Sequence, residues 1–481
     1  MSLANRNLVT VDDLSNGEIE ALFSLSDEMS DSMDKQSGVC QGKIMASLFF
    51  EPSTRTRLSF EAAMHRLGGS VISAVDIGAT SLAKGESIAD MARVVGSYAD
   101  IIVIRHLWEG AAKVVADYAG VPVINAGDGS HEHPTQTLCD LSTIKKEKQT
   151  IKGLKIALWG DLKYGRTIHS LIYALARFGA TILFRPGSGL ELPEHIIRKL
   201  TTEYTGEFKR YEALGQVVKG RLFPLDAIYM TPSEPHQLAM MPDISVQVEL
   251  KTGVDALYVT RLQLERLVAK TEGEGLKEDY PVVDKKLLRE KEFKRTLVMH
   301  PLPRVDELAY ELDADQRSMY FKQAARGVPI RMALIALLLG AKEFSISGEV
   351  DSFTQKKEYA VYRRDFGVKC ANPQCVSVQV TETKYIKPEF KIINKQPLTL
   401  RCIYCEHEVH PRYIASSDWH DGTLDNKKYH SADSHWAGKI KPENLILFDS
   451  ESEAKAHGFK PSRYATARHQ GSDEVKVSKE Q

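Results

Sequence analysis

Several protein classes are excluded by what this chain has little of. No apolar run approaches the roughly 20 residues that cross a bilayer, so a membrane-embedded protein is not expected. The formal net charge of −1 gives no bulk attraction to nucleic acid or to an anionic membrane surface. Six cysteines in 481 residues are too few for a fold built on disulfides. Met1 to Val11 carries neither a signal-peptide core nor a basic transit pattern, so a cytoplasmic location is expected. What is present is ordinary for a soluble protein: 43% hydrophobic and 26% charged residues. The length exceeds one hydrophobic core and implies about two to four domains.

The first half alternates short β-branched runs with helix-like patterns. Ile44–Phe50, Val71–Val75, Ile101–Arg105 and Val121–Asn125 read as strands, and a second unit begins near Gly153 with Lys155–Trp159. Thr181–Phe184, Ala256–Val259 and Thr296–Met299 continue it, and an apolar helix from Pro329 to Leu339 closes this part. The alternation predicts an α/β architecture of two doubly wound parallel-sheet domains, with ligands at the carboxyl ends of the strands. Asp226-Ala-Ile-Tyr-Met-Thr231 is nearly repeated by Asp255-Ala-Leu-Tyr-Val-Thr260, and only the second copy continues into Arg261 and Gln263. After Gly340 the composition turns polar, and four cysteines follow at Cys370, Cys375, Cys402 and Cys405. Beyond Ser416 the chain is rich in Ser, Asp, Lys and His.

The run Phe-Glu-Pro-Ser-Thr-Arg-Thr-Arg-Leu-Ser-Phe-Glu, from Phe50 to Glu61, carries the most information. It joins a strand-like segment to a helix-like one from Leu58 to Leu67. Ser53, Thr54, Arg55 and Thr56 would therefore gather at a helix N-terminus, where free N–H groups and the helix dipole favour an anion such as phosphate. An ordinary helix cap with a surface arginine is the plainer reading. It does not account for two arginines flanking a threonine.

Further motifs follow in order. They are Ile104-Arg105-His106, Asp128-Gly-Ser-His-Glu-His133-Pro-Thr-Gln136, Gly160-Asp-Leu-Lys-Tyr-Gly-Arg166, Thr260-Arg261-Leu-Gln263 and His300-Pro301-Leu302-Pro303-Arg304. Together they resemble the catalytic chains of the aspartate carbamoyltransferase family, from about residue 5 to residue 342. The resemblance implies transfer of a carbamoyl group from carbamoyl phosphate to L-aspartate, serving pyrimidine synthesis without an organic cofactor. It implies catalytic roles for Arg55, Thr56, Lys84, Arg105 and His133. Carbamoyl phosphate would be held by Ser53, Thr54, Arg55, Thr56, Ser81, Lys84, Arg105, His133, Gln136, Pro301 and Leu302. Within that set, the matching arginine and histidine contact the carbonyl oxygen with a threonine, and the glutamine contacts the carbamoyl amide. Aspartate would be gripped by Lys84, Arg166, Arg261 and Gln263.

Ser81-Leu-Ala-Lys84-Gly-Glu86 resembles the family's mobile loop, with one lysine where relatives often have two. By the resemblance this loop reaches a neighbouring subunit, so a homotrimer or an assembly of trimers is expected. Ornithine carbamoyltransferases carry cysteine where Pro301 stands, which favours aspartate. The interval from Arg166 to Arg261 is longer than the family usually has, by about thirty residues, consistent with an insertion around 220–253.

The four clustered cysteines suit a closed tetrahedral site for structural zinc. Their spacing resembles the zinc domain of the family's regulatory chains, a small β-rich ribbon with four cysteine ligands. In those chains a nucleotide-binding domain of about a hundred residues precedes the ribbon, and here a short linker stands in its place. Nucleotide regulation is accordingly not expected. The stretch from Tyr429 to Arg463 faintly resembles the metal-binding module of Ada-type repair proteins, with Ser462 where a cysteine would stand, and a metal-free remnant is expected. The expected division is a carbamoyl phosphate-binding domain at 1–150, an aspartate-binding domain at 151–302 and returning helices at 303–344. A linker at 345–365, the zinc domain at 366–415 and the tail at 416–481 complete it. The rival readings are a carbamoyltransferase for another amino acid, a non-catalytic scaffold, and a nucleic-acid-binding tail that no basic stripe supports.

Overall fold

The computed structural model describes residues 2–76, 78, 80–187, 189–205, 208–210, 225–231, 254–261, 282–344, 357–364, 366–418 and 427–465. The chain forms two compact units, Met1–Lys357 and Glu358–Gln481.

In the first unit, α1 (Asn16–Asp31) precedes β1 (Ile44–Phe49), α2 (Thr54–Arg66) and β2 (Ser70–Val75). A 3-10 turn at Ser81–Lys84 leads to α3 (Ile88–Gly96), β3 (Ile101–His106), α4 (Ala111–Tyr118), β4 (Val123–Asp128) and α5 (Pro134–Lys148). The sheet order is β2-β1-β3-β4, all parallel. β1 and β3 are buried almost throughout, as strands covered on both faces must be. Strand β4 begins at Val123, later than the pattern predicts, because Pro122 has no N–H to give the ladder. It runs on to Asp128, where Asn125 ties the strand end by donating from its side chain to Asp128 Oδ1 at 2.9 Å.

The second sheet comprises β5 (Lys155–Gly160), β6 (Thr181–Pro186), β7 (Phe208–Arg210), β8 (Ala227–Thr231), β9 (Ala256–Val259) and β10 (Leu297–Met299). Its order is β10-β9-β8-β5-β6-β7, again parallel, with α6 (Arg166–Arg177) and α7 (Glu194–Glu203) between strands. The repeated hexapeptide has a structural basis. Its two copies are β8 and β9, paired residue for residue, with Tyr229 beside Tyr258 and their rings stacked at 4.2 Å. Lys148 at the end of α5 binds the first residue of both copies, Asp226 at 3.0 Å and Asp255. Within the interval 220–253, Ala227–Thr231 forms a central strand, while 220–224 and 232–253 lie outside the described residues.

Helix α8 (Tyr320–Leu338) packs against α1, α2 and α5. The apolar pattern alone suggests a start at Pro329, yet the helix begins a polar half earlier and carries Pro329 in its interior. Tertiary packing outweighs the proline here: Met332 to Leu338 are all fully buried, at roughly 1.5–3 kcal/mol for each large side chain.

In the second unit, β11 (Val361–Arg363), β12 (Glu389–Lys395), β13 (Leu398–Cys402) and β14 (Glu408–Val409) form an antiparallel sheet. A second small sheet, ordered β17-β15-β16-β18, joins β15 (Tyr413–Ser416), β16 (Lys428–Ser431), β17 (Leu445–Phe448) and β18 (Lys460–Pro461). Helices α9 (Trp436–Lys439) and α10 (Glu451–Ala456) flank it. The two sheets meet at the start of the unit: the Leu447 N–H donates to the Tyr362 hydroxyl at 3.1 Å, and Phe366 stacks on His457. Gly367, at φ 93°, lets the Leu447 carbonyl approach where a Cβ would lie only 2.1 Å away.

Candidate active site and metal centre

Strand β1 delivers the chain into the first turn of α2. Ser53 is the N-cap, yet its side chain makes no capping hydrogen bond, so the plain capping role is not the one it fills. Arg55 and Thr54 are exposed at this helix start and Thr56 is buried. The Arg55 guanidinium is held below its ordinary range by partial burial and then by the charge of Arg261, which follows β9. A cation on α2 and another just beyond β9 thus come within electrostatic reach of each other beside a helix N-terminus, an arrangement that suits an anion.

Behind this cradle the ends of β3, β4 and α6 bring buried polar groups together. Arg105 donates to the Ala126 carbonyl at 3.2 Å and pairs with Glu51 at 3.3 Å. Arg166 makes a two-pronged contact with the same Glu51, at 2.8 and 3.1 Å, and donates to the Gly129 carbonyl at 2.8 Å. Gly127 packs against both arginines, at φ 117°. A Cβ there would lie 3.0 Å from Arg105 Nη1 and 3.4 Å from Arg166 Nη1.

His133 caps the start of α5 through its backbone, whose N–H donates to Ser170 Oγ at 2.8 Å. Its Nδ1 lies 3.4 Å from Thr135 Oγ1. Burial, followed by the charges of Arg105, Arg166 and Arg331, holds the imidazole well below its usual pKa. A neutral ring in such a place serves as a hydrogen-bond donor rather than a proton source. Gln136, one turn on, donates to Asp140 at 2.9 Å.

The remaining expected residues sit on separate elements. Ser81 and Lys84 are exposed on the 3-10 turn between β2 and α3, where Ser81 bonds to Glu86. Pro301 and Leu302 follow β10. Leu302 adopts φ 55°, and its N–H donates to His300 Nδ1 at 2.8 Å. That contact leaves His300 Nε2–H to donate to Glu307, also at 2.8 Å. Burial raises the Glu307 carboxyl, but the His300 bond and local backbone N–H groups bring it below the usual range. Gln263 lies outside the described residues.

Glu51, Ser170 and Asp140 escape a reading of the sequence. Glu51 stands inside the motif already singled out, and an acid amid anion-binding residues was the one available signal. Ser170 and Asp140 carry no signal, because Ser170 meets His133 and Asp140 meets Gln323 across distant stretches of the chain.

In the second unit the four cysteine sulfurs are buried and lie within 4.8 Å of one another. Cys370 and Cys405 are 3.5 Å apart, Cys375 and Cys402 3.8 Å. Those separations are too long for disulfides. They match the edge of a tetrahedron built on Zn–S bonds of ~2.3 Å, about 3.8 Å. The donor set therefore fits a closed structural zinc site. In the tail, Ser462 Oγ and His430 Nδ1 lie 2.9 Å apart.

Residues 6–146 match the aspartate/ornithine carbamoyltransferase carbamoyl-P binding domain, and residues 235–338 the Asp/Orn binding domain of the same family. Residues 364–415 match the metal-binding domain of the aspartate carbamoyltransferase regulatory chain. The chain is 44% identical over 341 residues to an aspartate carbamoyltransferase catalytic subunit of Clostridium botulinum, covering 71% of this chain and 100% of that one. A catalytic subunit from Thermoplasma acidophilum is 44% identical over 340 residues, with 70% and 99% covered. Among solved structures, the M. jannaschii catalytic subunit is similar at 40% identity and a TM-score of 0.54, covering 70% of this chain and 98% of that one. The Trypanosoma cruzi enzyme in complex with carbamoyl phosphate and aspartate is similar at 35% identity and a TM-score of 0.54, covering 70% and 96%.

Two outcomes follow from this geometry. Gly127→Ala will destabilise the protein by about 1–2 kcal/mol through its left-handed backbone and displace the Arg105 guanidinium, which thermal unfolding and turnover assays will separate. One zinc ion per chain is expected by elemental analysis. Cys402→Ser will abolish it and remove hydrogen-exchange protection from residues 366–415 while leaving that of the first unit in place.

Proposed function

The chain belongs to the aspartate carbamoyltransferase family, with a zinc domain of the regulatory-chain type following the catalytic part, and on that premise we propose how its own residues carry out the transfer. The reaction moves the carbamoyl group of carbamoyl phosphate to the amine of L-aspartate, giving N-carbamoyl-L-aspartate and phosphate.

Ser53, Thr54, Arg55 and Thr56 bind the phosphate at the N-terminus of α2, with Ser81 and Lys84 closing over it from their loop. Arg105 and His133 donate to the carbonyl oxygen, joined by Thr56. Gln136 and the Pro301–Leu302 loop receive the carbamoyl NH2. Arg166 and Arg261 grip the two carboxylates of aspartate, assisted by Gln263 and Lys84. The neutral α-amine attacks the carbonyl carbon and forms the new C–N bond. As negative charge builds on the oxygen, preplaced donors stabilise it by about 3 kcal/mol each. The intermediate collapses with cleavage of the C–O bond to phosphate, and the leaving phosphate takes the amine proton. No side chain need act as a general base, and no organic cofactor is required. The observation that carries this reading is the neutral, buried His133 set beside Arg105 and Arg166 behind a cradle bearing Arg55 and Arg261.

The chain works as a trimer or an assembly of trimers, with Ser81–Lys84 entering a neighbour's site. Support comes from the edge of the first sheet. Along β2 no side chain is buried, and Leu58, Ile72 and Val75 are 50%, 41% and 42% exposed, a lone apolar edge that isolated proteins tend to avoid. The zinc domain braces this assembly. No helix among the described residues is long and apolar enough to cross a membrane. The enzyme serves pyrimidine synthesis in the cytoplasm.

Carbamoyl-amino-acid formation with aspartate and with ornithine tests the reading. Activity is expected with aspartate alone, and Arg55→Ala will lower it by ~100-fold or more. Silence with both substrates from a folded, zinc-loaded protein would favour a scaffold instead. For the shared site, inactive Lys84→Ala and Arg55→Ala proteins will regain activity when their subunits exchange. Demonstrated exchange without recovered activity would rule sharing out.

A further inference from the structure

Asp140 is a fully buried carboxyl that the transfer described above leaves unused. It lies one turn beyond Gln136 on α5, at the junction of three elements. Its Oδ1 accepts from Gln136 Nε2 at 2.9 Å and from Gln323 Nε2 of α8 at 2.8 Å. Its Oδ2 accepts from the Tyr258 hydroxyl of β9 at 3.0 Å. Each donor reports to a different part of the site. Tyr258 stands three residues before Arg261. Gln323 accepts the N–H of His300 on its carbonyl at 3.1 Å, and His300 in turn holds the N–H of Leu302.

The chemistry of these groups is asymmetric. An ionised carboxylate only accepts, whereas a carboxamide has a donating end and an accepting end. A buried carboxylate that takes the Gln136 NH2 group therefore turns the Gln136 oxygen away from itself. The carbamoyl group ends in an NH2 that only donates, and the end of Gln136 it requires is that oxygen. Burial pushes the Asp140 carboxyl up to about 7, while Gln136, Gln323, Tyr258 and the charge of Arg331 all favour its ionised form.

We propose that Asp140 is a positioning residue that gives the site its preference for a carbamoyl over another acyl phosphate, by holding the Gln136 amide with its oxygen toward the substrate. The inference rests on the carbamoyl-transfer reading and adds the source of its acyl selectivity.

Acetyl phosphate is the natural probe, because it puts a methyl where carbamoyl phosphate has NH2. Asp140→Leu removes the acceptor that holds the Gln136 NH2 and leaves either end of that amide free to face the substrate. Carbamoyl phosphate affinity, measured by calorimetry on the full chain, is expected to fall about 10- to 100-fold, while acetyl phosphate affinity changes less than about 3-fold. Asp140→Asn is the conservative counterpart. Its amide oxygen, in the place of Oδ1, still accepts from Gln136 and Gln323, and its NH2, in the place of Oδ2, donates to the Tyr258 hydroxyl. This variant should keep the carbamoyl preference, and because its polar groups are satisfied it is available even where Asp140→Leu fails to fold. Parallel loss of both ligands in Asp140→Leu, or a folded Asp140→Asn protein without the preference, would overturn the proposal. Wild-type protein that makes no carbamoyl-aspartate would instead overturn the reading beneath it.

Discussion

Arg105 and Arg166 would repel one another within the first unit if Glu51 did not stand between them. Two close like charges at a partly shielded site cost of order 4 kcal/mol, and a buried guanidinium loses its hydration as well. Glu51 offsets both effects at once, one oxygen shared between the arginines and the other completing the fork on Arg166. The cations are thereby held in place before any anion arrives. Because Arg105 ends β3 and Arg166 begins α6, the same carboxylate also sets the first sheet against the second. The placement of Arg105 and that of Arg166 are thus one problem with one solution.

That solution determines the state of His133. Burial and the nearby arginines disfavour a second proton on the ring. It contributes a directed N–H and nothing ionic. On the proposed mechanism the site works through fixed donors and fixed charges rather than an acid–base pair, and its catalytic power resides in preorganisation. Such a site depends on orientation, which is why a glycine at position 127 and a carboxylate at position 140 matter although neither is expected to meet substrate.

Residues proposed to contact ligands could be singled out in the sequence because their chemistry leaves few choices. A phosphate cradle needs hydroxyls and arginine at a strand-to-helix turn, and the run from Ser53 to Thr56 has them. The parallel α/β order was legible from β-branched runs spaced by helical patterns, and β1, β3, β5 and β9 fall where the pattern puts them. Residues that act on other residues were not legible. Glu51 meets Arg166 and Asp140 meets Gln323 across more than a hundred positions, and no local pattern encodes such a meeting. The repeated hexapeptide is an intermediate case. Its recurrence was visible, but its cause was not: two adjacent strands present the same aspartate to Lys148 of α5, while Tyr258 reaches Asp140 on α5 and Tyr229 reaches Thr167 on α6.

The return of α8 to the first sheet is more than core packing. Its Arg331 is buried, lies over the Phe60 ring of α2 at 4.9 Å and reaches Cys139 of α5 at 3.6 Å. One cation thus touches the helix whose N-terminus is the proposed phosphate cradle and the helix that begins at His133. Its charge is among those that keep His133 neutral, and it also favours the ionised form of Asp140. On the preceding turns of α8, Gln323 completes the Asp140 hydrogen bonds and holds the backbone of His300. The helix therefore acts on His133, Gln136 and the Leu302 loop together, through one charge and one carboxamide. A catalytic part ending before this helix would keep every residue expected to touch substrate, yet lose the groups that orient three of them.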